Sequence, residues 1–436
     1  MPLRKPEGKF LKYTMNTFKR IFRDEALRTK MFYVLGLLAI FRIAAAVPIP
    51  VIDRLRFAGA LGGNSLLGLF NLFTGGGLEQ VSLMMLGVGP YITASIIMQL
   101  LTMIFPTLKE LYHEEGEAGR RKFMQYSRIL TVPLAMLQGY GLLRLLASQG
   151  VIALASGLSL ELLTVLVVVT AGSVWLMWLG EQITQYGIGN GISLLIFSGI
   201  VAGIPQIAYQ NYVTFSREMI PTLVGFIIAA IVVIAGVVLV TEAERPIPIS
   251  YAKRVRGMKL YGGVSTYLPL RVNQAGVIPI IFAISILLFP QLILTLLAST
   301  GGVWVSTAAA TFNGWMQNQW IYGALYFVLV FLFTYFYTAV TFDSGSIATN
   351  LQKSGGFIPG MRPGRPTAEY LGAVINRITL AGGLFLGIIA IMPLIIQGVL
   401  GTSTLTIGGT ALLIVVSVVL ETVKQIQAQL TVREYE

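Results

Sequence analysis

Pro221-Thr-Leu-Val-Gly-Phe-Ile-Ile-Ala-Ala-Ile-Val-Val-Ile-Ala-Gly-Val-Val-Leu-Val-Thr241 carries no charge along its whole length. A run of about 20 apolar residues is what a helix needs to cross a hydrocarbon core about 30 Å thick. Similar blocks recur on both sides of it. Together they predict ten spans, near residues 31–49, 82–104, 126–148, 158–180, 188–209, 221–241, 272–298, 320–342, 374–398 and 404–424. Because the blocks are continuously apolar, they exclude a barrel, whose short strands would alternate polar with apolar residues. Composition agrees with an all-α polytopic membrane protein: of 436 residues, 55% are hydrophobic and 11% charged, and the mean hydropathy is +0.76. That leaves too few polar groups to clothe a water-facing surface.

The placement of charge predicts an orientation. With the N-terminus in the cytoplasm and sides alternating at each crossing, residues 1–30 put nine Lys and Arg inside. The segments 105–128, 242–271, 353–377 and the C-terminal end add five, six, four and two, which makes 26 of the 31 basic residues. Arg54, Arg56, Arg144 and Arg217 fall outside, and Arg42 lies within the first span. The excess of Lys and Arg on one side therefore predicts both termini inside and an even number of spans. A basic stretch before an apolar run, with Ala44, Ala45 and Ala46 behind it, has the outline of a secretory signal. The length of the basic stretch, Arg42 in the run and nine further spans predict that it is retained. The same stretch suits anionic lipid headgroups.

Several chemistries are excluded. No cysteine occurs, which removes disulfides, thiolate metal sites and thiol catalysis. The one histidine, His113, lies among the charges of Lys109 to Lys122 and reads as a solvated loop residue. No phosphate-binding loop of Walker type is present, so any transport draws on a partner or a gradient. The alternative reading, a multispan solute permease, needs ionisable groups at mid-membrane if it is ion-coupled. Only Arg42, with Glu79, Glu161 and Glu181 near span ends, comes close. An intramembrane protease would need His, paired Asp or a metal site within the spans. No catalytic residue, metal or cofactor is expected. The polar residues Thr93, Gln99, Asn190 and Asn273 are expected to hydrogen-bond between helices.

Three segments break the regular plan. Asn64-Ser-Leu-Leu-Gly-Leu-Phe-Asn-Leu-Phe-Thr-Gly-Gly-Gly77 is apolar but too short to cross. It either lies in the interface or folds back into a cavity of the bundle. Two long loops are basic: Thr241 to Arg271, with Tyr251-Ala-Lys-Arg-Val-Arg256 and Lys259, and the stretch from Lys353 to Arg365. Both suggest docking surfaces for something large and polyanionic or acidic.

Eight motifs then stand in a fixed order: Asn71-Leu-Phe-Thr-Gly-Gly76, Leu86-Gly-Val-Gly-Pro-Tyr-Ile-Thr-Ala-Ser-Ile-Ile-Met-Gln99, Glu114-Glu-Gly-Glu-Ala-Gly-Arg-Arg121, Trp178-Leu-Gly-Glu-Gln-Ile-Thr184, Gly187-Ile-Gly-Asn-Gly-Ile-Ser193, Tyr251-Ala-Lys-Arg254, Leu268-Pro-Leu-Arg-Val-Asn-Gln-Ala-Gly-Val-Ile-Pro279 and Asn350 to Gly364. In this order, across almost the whole chain, the sequence resembles the SecY family, the central subunit of the Sec translocon. The resemblance implies two pseudo-symmetric five-helix halves, 31–209 and 210–424, around an hourglass pore. A basic N-terminus (1–30), loops at 242–271 and 343–373 and a short tail (425–436) complete the plan. It also implies that Ser65, Leu66, Leu67, Gly68, Leu69, Phe70, Asn71, Leu72, Phe73, Thr74 and Gly75 form a plug helix. The pore ring falls on Val88, Ile92, Ile192, Ile196, Ile281 and Ile414. A lateral gate falls between spans two and three and spans seven and eight. Thr93, Gln99 and Asn273 lie along it, the last two as candidates for a polar contact across the seam.

The same resemblance assigns Lys253, Arg254, Arg256, Arg362 and Arg365 to docking of the motor ATPase SecA and of the ribosome, including its RNA. It implies SecE and SecG as partner subunits, signal sequences and preproteins as cargo, membrane lipids as surroundings and the bacterial plasma membrane as location. Two departures stand out: Phe342 to Thr349 matches the family loosely, and Val88 is smaller than the isoleucine common at its position.

Overall fold

The computed structural model describes residues 24–49, 81–113, 115–148, 159–213, 217, 220–251, 254–256, 259–261, 265–298, 303–400 and 408–434. The expected plug, Ser65 to Gly75, and Lys253 lie outside the described residues. A helix covers most of each predicted span: α1 (Glu25–Ala45), α2 (Gly89–Ile104), α4 (Gly116–Ser148), α5 (Leu160–Tyr186), α6 (Gly191–Val213), α7 (Ile220–Glu242), α8 (Ile278–Ala298), α10 (Gln319–Thr341), α12 (Arg365–Leu400) and α13 (Gly408–Glu434). Between them lie the shorter α3 (Pro106–His113), α9 (Val303–Gln317) and α11 (Ser344–Lys353). By length and hydropathy alone, α4, α5, α7, α10, α12 and α13 suffice to cross a membrane, and α2 with α3 forms an apolar pair bent by 116°.

Local chemistry sets the boundaries. The Asp24 carboxylate accepts from the backbone N–H groups of Ala26 and Leu27, so α1 starts at 25 rather than 31. It ends at Ala45, ahead of Pro48. Arg42 thus lies in the last turn, where a cation meets the negative end of the helix, and its guanidinium sits 5.9 Å from the Phe41 ring centre. The span predicted over 82–104 becomes helical only at Gly89. Gly87 is left-handed at φ 58, and Pro90 in the first turn lacks the N–H that an upstream helix would use. Residues 81–88 are turns, almost all buried. Ser82 Oγ accepts from Met84 N, and Ser173 Oγ of α5 donates to the Gly87 carbonyl at 2.9 Å. Irregular backbone survives at depth where protein satisfies it. The strand-like bridge Pro48 to Ser82, with Ile49 N donating to Val81 O and Leu83 N to Val47 O, makes residues 50–80 leave and rejoin the described chain at one place.

Helices α1, α2, α4, α5 and α6 pack on one another, and so do α7, α8, α10, α12 and α13. The two groups meet where α8 lies against α2 and α4, and where α13 lies against α6. One apolar cluster runs through both, from Phe41 and Val88 to Ile281 and Ile414.

The stretch 242–271, expected as a loop, is largely sheet. Strand β1 (Glu244–Tyr251) pairs antiparallel with β4 (Ser265–Arg271), from Glu244 opposite Arg271 to Ser250 opposite Ser265. Farther out, β2 (Arg254–Arg256) pairs with β3 (Lys259–Tyr261). Strand β5 (Gly356–Phe357), from the second basic stretch, adds to the other edge of β1 at Ser250 and Tyr251. Ile247 and Ile249 point inward while Pro246 and Pro248 face out, the period-2 pattern of a half-buried strand. Ile247, Leu270 and Ile358 pack with Leu371, Val374, Ile375 and Ile378 in a second apolar cluster, which seats the sheet on the first turns of α12.

Candidate functional site

At the end of the bundle that bears the sheet, a cavity of about 770 Å³ opens between α2, α4, α5, α6, α8 and α10. Residue order along the helices gives its depth. On α4 the lining passes from Glu117, Arg120 and Arg121 at the helix start to Met124, Gln125 and Arg128 deeper in; on α2 it passes inward from Gln99 through Ser95 to Ile92. The outer wall is polar. Within it, Arg128 Nε of α4 meets Glu181 Oε1 of α5 at 2.8 Å. Glu181 is mostly buried, so the pair fixes a charge-assisted contact between adjoining helices of the wall.

Aliphatic side chains stand at the inner reach. Ile92, Ile192 and Ile281 line the cavity. Val88, Ile92, Ile196, Ile281 and Ile414 are all buried in the large apolar cluster, with Ile192 packed against it. The six positions come from α2 or the turn before it, α6, α8 and α13, so both helix groups contribute. Two glycines set the approach of α5 and α6 beside them: a Cβ on Gly191 would run into the Gly180 carbonyl oxygen, and one on Gly180 would meet Ile192 Cδ1.

The expected polar contacts resolve differently. Thr93 does bond between helices, accepting from Gln138 Nε2 of α4 at 3.2 Å while donating to Gly89 O. Asn190 instead caps α6, its Oδ1 accepting from Ile192 N and Ser193 N, because it precedes the helix rather than lying inside one. Asn273 lies in the turn before α8 and donates to Gly276 O. The side-chain Oε1 of Gln99 and Oδ1 of Asn273 accept no hydrogen bond from the protein, so these two side chains do not bond each other. Gln138 was missed, since nothing in the sequence links it to a threonine 45 positions away.

The two basic stretches are joined where β5 pairs with β1. Arg254 and Arg256 lie in β2, opposite Tyr261 and Lys259. Arg362 is exposed on a turn held between Gly360 at φ 84 and Gly364 at φ 99, both in the region that favours glycine, and its carbonyl accepts from Thr367 Oγ1. Arg365 opens α12 and pairs with Glu369 at 3.0 Å on an exposed face.

A helical membrane bundle in which a cavity with a polar outer wall reaches aliphatic side chains from both helix groups has the make-up of a channel. The chain belongs to the SecY family, whose profile matches residues 82–423. It is 43% identical to the protein translocase subunit SecY of Corynebacterium glutamicum over 446 residues, covering 97% of this chain and 99% of that one. It is 44% identical to those of Mycobacterium tuberculosis and Streptomyces coelicolor, with the same coverage. Among solved structures it is similar to one described as a protein conducting channel, at 19% identity and a TM-score of 0.62 over 91% of each chain. Another similar structure is Sec61 in the canine ribosome-channel complex from the endoplasmic reticulum, at 18% identity and a TM-score of 0.60 over 91% of each chain. The fold is therefore that of a ten-span channel, and the permease alternative is set aside.

Proposed function

We propose that this chain is the pore-forming subunit of the Sec translocase, a channel rather than an enzyme, through which unfolded preproteins pass and from which signal helices exit sideways into lipid. The observation that carries the reading is the cavity whose polar outer wall gives way to Ile92, Ile192 and Ile281, with Val88, Ile196 and Ile414 in the same apolar cluster. Branched aliphatics offer ions and water no replacement for hydration, which makes a seal. Their dispersion contacts are individually weak, so the ring dilates around any side chain.

The finer assignments follow from this. Residues Ser65 to Gly75 act as the plug, a reading supported by the joined ends of the 50–80 excursion beside Val88. The lateral gate opens where α8 lies on α2 and α4, between halves 31–209 and 210–424. Gln99, which lines the cavity, and Asn273, in the turn before α8, supply polar groups beside this seam. Both termini face the cytoplasm of a bacterial plasma membrane, supported by the 26 of 31 basic residues gathered on that side. The sheet and the Arg362 turn then receive SecA or the ribosome, while SecE and SecG clamp the bundle.

The test exploits a chain without cysteine. A single Ile196→Cys is placed in the ring, a signal-bearing secretory chain with one cysteine at mid-length is arrested, and the membranes are oxidised. The expected outcome is a cross-link that requires a functional signal sequence. If translocation proceeds while Ile196→Cys behaves like a lipid-facing control, the conduit lies elsewhere.

A further inference from the structure

From Val272 to Phe342 the sequence contains no Asp, Glu, Lys, Arg or His, and this stretch includes the whole connection between α8 and α10. That connection lies at the end of the bundle opposite the sheet, because α8 starts at the sheet end and α10 returns to it. Within 17 residues it holds Trp304, Trp315 and Trp320, three of the protein's five tryptophans. They are 91%, 57% and 82% exposed.

Helix α9 presents two neighbouring stripes at helical spacing. Val305, Ala309, Phe312 and Met316 turn inward, with Phe312 and Met316 joining the large apolar cluster and α9 packing on α8. Trp304, Ala308, Thr311 and Trp315 face out. Loops in water normally carry charge; this one carries none and instead concentrates the side chain whose apolar ring and N–H donor suit the headgroup boundary. The helix that follows, α10, also exposes apolar side chains, among them Ile321, Leu325, Val328 and Leu332, and the missing charge makes uncharged lipid, rather than anionic lipid, the matching surface.

We propose that α9 is an interfacial anchor: its tryptophan stripe lies in the headgroup boundary of the leaflet opposite the basic sheet, and it ties the end of α8 to that boundary. The anchor engages neutral headgroups, so salt does not release it. Because α8 also touches α2 and α4, bilayer thickness at that leaflet bears on the position of α8.

The test uses the full chain reconstituted in phosphatidylcholine nanodiscs. Trp175, Trp178, Trp315 and Trp320 are changed to Phe, and the emission of Trp304 is read with lipids brominated near the headgroup and, separately, with aqueous iodide. The expected result is loss of most emission to the shallow bromines, little loss to iodide and no change at high salt. Iodide quenching as strong as that of free tryptophan overturns the proposal, since the stripe then faces water. Protection from both quenchers also overturns it, because protein then covers the stripe. Should the multiple replacement fail to fold, Ala308→Cys provides a unique spin-label site on the same stripe with every tryptophan in place. Its accessibility to oxygen against a water-soluble nickel chelate gives the depth, and aqueous accessibility refutes the anchor.

Discussion

Gly191 and Gly180 show how little room a single side chain has beside Ile192. Adding bulk at Gly191 pushes α5 from α6 at the ring position Ile192. Gly191→Val is expected to cost about 1–3 kcal/mol through overpacking, read as a lower unfolding midpoint in detergent together with increased ion leak from proteoliposomes. An unchanged midpoint would mean that the two helices have slack. Ile281→Ser tests the seal itself: a hydroxyl gives water a hydrogen-bond partner at the ring, so resting conductance should rise while membrane abundance is kept. Conductance equal to the parent would place the barrier at other residues. The proposed ring rests on motif spacing, and the gathering of its six aliphatic side chains in or against one apolar cluster supports it. The Gln138 to Thr93 bond was not legible in the sequence, since a lone glutamine in an apolar run says nothing about which neighbour it reaches.

At the scale of elements, the sheet is where reading by charge stopped short. Lys and Arg marked 242–271 and 353–365 as docking stretches, yet gave no sign that they form one surface. The strand signal was muted: Pro246, Pro248 and Pro269 lack the N–H of a regular ladder, and β5 is two residues long. Helix ends were similarly illegible where a cap such as Asp24 or a break such as Gly87 overrode the apolar count. Arg362→Glu should impair motor-driven export far more than it lowers protein in the membrane, because the side chain is exposed and only its carbonyl is used structurally. Equal loss of export and of protein would count against docking at this turn. Leu371→Ala removes a fully buried side chain from under the sheet, at about 2–5 kcal/mol. The expected readout is faster hydrogen exchange across β1 and β4 with the membrane helices unchanged.

For the whole molecule, ten spans could be read in advance because hydropathy is a local sum that each block settles by itself. How they group could not, since that depends on contacts such as α8 with α4 and α13 with α6, which join residues far apart in the chain. On the proposed topology 26 of the 31 basic residues share one side, which has a bulk consequence. Binding of reconstituted protein to ribosomes should fall steeply as salt rises from about 0.1 to 1 M and the screening length shrinks from about 10 to 3 Å. Salt-independent binding would assign docking to apolar contacts instead.

The pairing of β5 with β1 also orders events during synthesis. Strand β1 and its hairpin partner β4 emerge together, but Gly356 and Phe357 follow Tyr251 by about a hundred residues, with two membrane helices made in between. At about 5–20 residues per second, the third strand arrives on the order of ten seconds later. With the docking role proposed for the sheet, an unfinished chain displays an incomplete receiving surface until most of its second half has been made.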